Sequence, residues 1–106
     1  MSKIHTVTDS NIQTEVLEHN GLVLMDFWAE WCAPCRALTP TLEAIAEENP
    51  SIKICKVNVD ENPELGTQFN VRSIPFIVFM KDGQRVGELI GNYPKAKIEE
   101  TIKSFT

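Results

Sequence analysis

Apolar residues fall along this chain in short blocks with two different spacings. Leu22-Val23-Leu24-Met25-Asp26-Phe27-Trp28 is almost continuously apolar. A run this short, bounded by the Asn20-Gly21 turn signal, predicts a strand buried on both faces. Residues 52–59 are rich in β-branched side chains and predict a second strand. Residues 76–80 and 85–90 predict two more, joined by Lys81-Asp82-Gly83-Gln84, a hairpin signal centred on Asp-Gly. Residues 4–7 predict a short further strand.

Between these blocks the spacing is helical. Ile12, Val16 and Leu17 give one apolar face, with Thr8 or Asp9 as its cap. Leu38, Leu42 and Ile45 form the inner stripe of a helix over residues 32–48, which Pro40 should kink. Asn62-Pro63 opens a short helix with Leu65 and Phe69 inward. Pro94 starts the last one, with Ile98, Ile102 and Phe105 on one face. The order is β-α-β-α-β-α-β-β-α. That alternation predicts an α/β domain over residues 1–106, with a mixed five-stranded sheet flanked by four helices.

Composition narrows the class. The 106 residues are 42% hydrophobic and 24% charged, an ordinary globular balance. Fifteen acidic residues oppose ten basic ones, and no basic stripe is present, so no nucleic acid is expected as partner. No stretch reaches the roughly 18–20 apolar residues of a membrane span, so no membrane is expected either. Three cysteines cannot form a full disulfide framework. With no signal-like run at the N-terminus, the reading is cytoplasmic, where a cysteine pair points to redox or metal chemistry.

The chemistry concentrates in Trp31-Cys32-Ala33-Pro34-Cys35, directly after the buried strand and at a helix start. Residues three apart on a helix are neighbours, so Cys32 and Cys35 can form a disulfide. Free N–H groups and the helix dipole at that end stabilise a thiolate on Cys32. Pro34 fits the first turn, and Arg36 adds positive charge. A closed zinc site needs four ligands; His5, His19 and Cys55 are the only other candidates, and none forms a second pair at ligand spacing. No metal is therefore expected. Cys55 reads as a small buried hydrophobe. Asp26 is a carboxylate inside an apolar strand, and burial should raise its pKa.

The sequence resembles the thioredoxin family over essentially its whole length. The matching pieces are Asp26-Phe27-Trp28-Ala29, Trp31-Cys32-x-Pro34-Cys35-Arg36, Pro40, Lys56-Val57-Asn58-Val59-Asp60, Val71-Arg72-Ser73-Ile74-Pro75, Asp82-Gly83 and Gly91. The resemblance implies a protein-disulfide reductase with Cys32 as nucleophile and Cys35 as resolving thiol. It implies a cis Ile74–Pro75 bond, proton exchange between Asp26 and Cys35, and Lys56 as the electrostatic neighbour of Asp26. Trp31, Ala33, Pro34, Ile74, Pro75 and Gly91 would then contact substrate, with the backbone of Ile74 pairing to a substrate strand.

The implied partners are a thioredoxin reductase and disulfide proteins such as ribonucleotide reductase, peroxiredoxin and methionine sulfoxide reductase. The implied state is a monomer with no cofactor beyond the cysteine pair; the chain has no Gly-x-Gly-x-x-Gly fingerprint. Two residues depart from the family's usual pattern. Ala33 replaces a glycine, and Phe76 replaces a threonine, putting a ring beside the expected docking surface. A disulfide oxidant or isomerase on the same fold, and a non-catalytic binding subunit, are the alternatives.

Overall fold

The computed structural model describes residues 3–106; Met1 and Ser2, which the domain reading includes, lie outside the described residues. Five strands form one sheet: β1 (His5–Thr6), β2 (Leu22–Trp28), β3 (Lys53–Asn58), β4 (Phe76–Lys81) and β5 (Gln84–Ile90). Two α-helices connect them, α1 (Ala33–Glu48) between β2 and β3 and α2 (Pro63–Gln68) between β3 and β4, and a third, α3 (Lys95–Ser104), follows β5. The spatial order is β1-β3-β2-β4-β5. β1, β3 and β2 run parallel, and β4 and β5 are antiparallel additions. The sheet is mixed, as the terminal hairpin predicts.

The central place of β2 follows from its composition. Leu22 to Phe27 are all buried. Successive side chains alternate between faces. Val23, Met25 and Phe27 pack with Ile12, Val16, Leu65, Phe69 and Phe76 on one side. Leu24 packs with Leu38, Leu42, Ile45, Ile98 and Ile102 on the other, under α1 and α3. Asp26 shares the α1 face by this alternation. It is fully buried, and neither carboxylate oxygen has a hydrogen-bond partner among the described residues. Burial pushes its pKa up to about 7, with the Lys56 charge pulling the other way.

Three expectations need correction. The first predicted helix is only a five-residue π-helical turn, Gln13–Leu17, closed by a bond from the Glu18 N–H to the Gln13 carbonyl. Ile12 and Val16 are nonetheless buried where the pattern put them. Asp9 does not cap this turn: its Oδ1 accepts from the N–H of Leu65 in α2, at 3.1 Å. Thr8 Oγ1 serves the turn, accepting from Asn11 N–H at 3.3 Å. Phe76 is buried, with its ring 6.3 Å from that of Phe27, so it belongs to the core and not to an exposed docking surface. α1 continues through Pro40 to Glu48.

The β4–β5 hairpin turns on Asp82 (φ 51°) and Gly83 (φ 82°), two successive left-handed residues. That is the backbone a two-residue hairpin loop needs. A Cβ on Gly83 would sit 2.6 Å from the Leu17 carbonyl oxygen, whereas one on Gly21 (φ 99°) would meet nothing within 4 Å. Gly21→Ala should therefore cost about 1–2 kcal/mol for the left-handed backbone alone. Gly83→Ala should cost more, because the backbone at Leu17 has to move. Equal losses in denaturant unfolding would contradict this packing.

Asp26 also sets a pH dependence. Its folded-state pKa lies above the unfolded value of 3.8. The folded state therefore holds its proton longer, and stability falls as pH rises between about 4 and 7. The loss is on the order of 4 kcal/mol once the buried group must ionise. Asp26→Asn should flatten this slope, so that its advantage over the native chain grows from pH 4 to pH 8. An advantage independent of pH would show that Asp26 does not titrate in this range.

Candidate active site

The site is built where β2 ends and α1 begins. Cys32 is the residue preceding α1, in extended conformation, and its Sγ accepts from the Cys35 N–H at 3.3 Å. The first turn of a helix has N–H groups with no intrahelical partner, and here a sulfur satisfies one of them. Pro34 occupies that turn, where its missing N–H costs nothing. Cys32 and Cys35 are joined as a disulfide with their Cα atoms 5.2 Å apart. Cys35 is wholly buried and Cys32 is 5% exposed, so of the two residues Cys32 is the one that reaches solvent. The Arg36 guanidinium is exposed and donates to the Glu30 carbonyl.

Ile74–Pro75 is a cis peptide, and Cys32 Sγ lies 3.9 Å from the Ile74 carbonyl oxygen. Ile74, like Trp28 and Val59, packs against the buried cluster of Ala29 and the two cysteines. Neither its N–H nor its carbonyl takes part in a backbone hydrogen bond among the described residues. Pro75 is buried, and its carbonyl accepts from Gly91 N–H at 2.8 Å. Gly91 has φ 103°, which only glycine adopts freely. Trp31 is 69% exposed, although its Nε1 donates to Asp60 Oδ2 at 2.9 Å. Ala33 and Pro34 are exposed at the head of the helix. Trp31, Ala33, Pro34 and Ile74 thus surround Cys32, with Pro75 and Gly91 supporting the loop from below and beside it.

Lys56 pairs in register with Asp26 across β2 and β3. No ion pair joins the two side chains. The ammonium instead donates to Thr39 Oγ1 at 2.9 Å and lies 4.0 Å from the centroid of the Trp28 ring. It acts on Asp26 as a charge at longer range. Thr39 in turn donates to the Cys35 carbonyl at 3.4 Å. Thr39 is a neighbour that the sequence reading missed, although its position four residues after Cys35 puts both on one helix face. Asp60 and Val59 were missed for another reason: they follow β3, and their place beside the site depends on its register against β2.

Cys55 is buried, and burial raises its thiol to about 12, so it stays protonated and unreactive. His5 is exposed, and His19 is half-buried just after the π-helical turn; both line a cleft beside Lys53 to which neither Cys32 nor Cys35 contributes. Among the described residues no cluster of three or more His, Cys, Asp or Glu could hold a metal ion. No helix there is long and apolar enough to cross a membrane.

This geometry has clear relatives. A family model described as Thioredoxin matches residues 3–104. The chain is 46% identical over 103 residues to a thioredoxin of Listeria monocytogenes, covering 96% of this chain and 98% of that one. It is 43% identical over 103 residues to a thioredoxin of Porphyra purpurea, covering 96% of each. The X-ray structure of Fasciola hepatica thioredoxin matches with a TM-score of 0.90 at 35% identity, covering 97% of this chain and all of that one. Identity at this level along nearly the whole chain, on a shared fold with the cysteine pair in place, means that this chain belongs to the thioredoxin family and is a thiol–disulfide oxidoreductase.

Proposed function

We propose that this chain reduces disulfides in other proteins by an exchange that begins at Cys32. The observation carrying this reading is that Cys32 opens to solvent beside the unpaired backbone edge of Ile74. In the reduced state the Cys32 thiolate attacks a substrate sulfur, forming a mixed disulfide and releasing the first substrate thiolate. Cys35 then loses its proton and attacks Cys32 Sγ. That closes the Cys32–Cys35 disulfide and releases the second substrate thiolate. Two electrons pass to the substrate.

The thiolate on Cys32 is favoured by the α1 N-terminus and by the Cys35 N–H aimed at its sulfur. Asp26 is the proton acceptor for Cys35. Its pKa of about 7 matches that task, since a base works best when it titrates near the operating pH. Lys56 keeps that pKa from rising further. A substrate strand lies along Ile74, with Trp31, Ala33, Pro34, Pro75 and Gly91 shaping the surface around it.

The protein works as a monomeric, one-domain electron carrier in the cytoplasm and needs no cofactor beyond the cysteine pair. A thioredoxin reductase recharges it. Its substrates are of the kinds the family serves, such as ribonucleotide reductase, peroxiredoxin and methionine sulfoxide reductase.

Two experiments test this reading. Cys35→Ser should accumulate a mixed disulfide with a substrate protein, seen as the summed mass on a non-reducing gel or by mass spectrometry, and Cys32→Ser should not. Equal trapping by both variants would reverse the roles. Asp26→Asn should slow the second step at pH 7 by up to about 100-fold, the lower end of what a positioned base contributes. It should also abolish the rise in rate as pH climbs through 7. Unchanged rates across neutral pH would remove Asp26 from the proton path.

A further inference from the structure

Two clefts flank the Ile74 edge that the exchange chemistry leaves unused. One, about 420 Å³, runs past Trp31, Val59, Val71 and Ile74. The other, about 310 Å³, is bounded by Phe76, Arg85, Glu88 and Ile90. Arg72 and Ser73 line both, so these two residues form the ridge between them. The ridge immediately precedes Ile74, the residue against which a substrate strand is read to lie.

The charge on this side is opposite to that of the chain as a whole, which carries −5. Arg72 is exposed and has no carboxylate partner among the described residues; its Nε donates only to Asn70 Oδ1, at 3.3 Å. Arg85 is held in place. Its guanidinium lies 6.0 Å from the Phe69 ring centroid and 5.7 Å from that of Phe76, and donates to the Phe69 carbonyl at 2.9 Å. Glu88 takes one of its donors at 2.7 Å. Two cations against one carboxylate leave this cleft net positive. Beyond Trp31, the carboxylate of Asp60 marks the other side of the docking face. The face therefore has a negative side and a positive side.

Phe76 gains a role from this arrangement. Its ring does not reach the docking surface, but it helps seat the Arg85 cation beside that surface. Arg72 adds a second guanidinium whose donors suit a carboxylate.

We propose that the Arg72–Arg85 side of the face recognises an acidic side chain in the substrate protein, about two or three residues from the cysteine under attack. The spacing follows from the chain. Arg72 is two residues from Ile74, and a strand laid along Ile74 advances about 3.3 Å per residue. The proposal rests on the reading that substrates dock along Ile74. It adds the class of sequence that they carry there. The charge selects between substrates by an exposed ion pair at the rim and leaves the exchange chemistry untouched.

The test uses the reduced protein and short peptides whose single cysteine is blocked as a mixed disulfide with a chromogenic aryl thiol. Each peptide carries Glu, Gln or Lys two and three residues from the cysteine, on its N-terminal or C-terminal side. In each reaction the protein dithiol becomes its disulfide, and the peptide thiol and aryl thiolate are released, so absorbance reports kcat/KM. On one side of the cysteine, the Glu peptide should react roughly two- to fivefold faster than the Gln peptide, the worth of one exposed ion pair. That ratio should shrink with added salt. It should fall toward one in Arg72→Gln and invert in favour of Lys in Arg72→Glu.

Arg72 is exposed, so these variants put no core contact at risk. Arg85→Gln removes a packed cation and is therefore read by the Glu-to-Gln ratio, not by absolute rate; that ratio should also fall. Equal rates for Glu and Gln peptides on both sides would overturn the proposal while leaving the reductase reading intact. So would a Glu preference that survives both Arg72→Gln and Arg85→Gln. Failure of the native protein to reduce any of the peptides would overturn the docking reading itself.

Discussion

The first turn of α1 has N–H groups that need acceptors, and the acceptor this chain supplies is a sulfur. Cys32 stands where serine, threonine or aspartate commonly caps a helix, and its Sγ receives the Cys35 N–H. The same contact closes the three-residue spacing that brings the two sulfurs into bonding range. A helix cap and a redox pair are thus one structure. Everything else near it keeps that cap in place. β2 is buried on both faces and fixes where α1 starts. The Ile74 loop packs on the cysteines from the far side.

Asp26 is the cost of this arrangement. A carboxylate with no hydrogen-bond partner among the described residues sits in the strand that anchors the site, and burying it costs free energy that an apolar side chain would not. The burial that opposes ionisation lifts the group to about 7, in the range that the proposed proton transfer from Cys35 needs. Lys56 moderates the effect without neutralising it, since its ammonium is committed to Thr39 and to the Trp28 ring. Under the proposed mechanism stability and reactivity are traded at this one residue, and both then depend on pH.

Much of this was readable from the residues. The apolar run of β2 announced a central strand, and Asp26 stood out in it as a carboxylate out of place. Asp82-Gly83 announced the hairpin, and the structure gives both residues the left-handed backbone that the signal requires. The cysteine spacing next to Pro34 announced the pair. What stayed hidden depended on contacts between distant segments. Asp9 lies beside the first helical face in sequence but caps α2, because the segment after β1 meets α2 only in the folded chain. Phe76 follows the Ile74-Pro75 loop in sequence, yet strand alternation turns its ring into the core. The Arg85 seat needs Phe69 and Phe76 together, and no local pattern joins those three residues.

The central claim is that the Cys32–Cys35 pair gives electrons to substrate disulfides. The measurement closest to it is the equilibrium reduction potential of that pair, titrated in a defined thiol–disulfide buffer. The account predicts a strongly reducing value, near the roughly −270 mV of reductant members of the family, with Ala33 in place of the usual glycine making little difference. A value near about −180 mV, where protein disulfide isomerase lies, would contradict it and make the chain an oxidant or isomerase on the same fold.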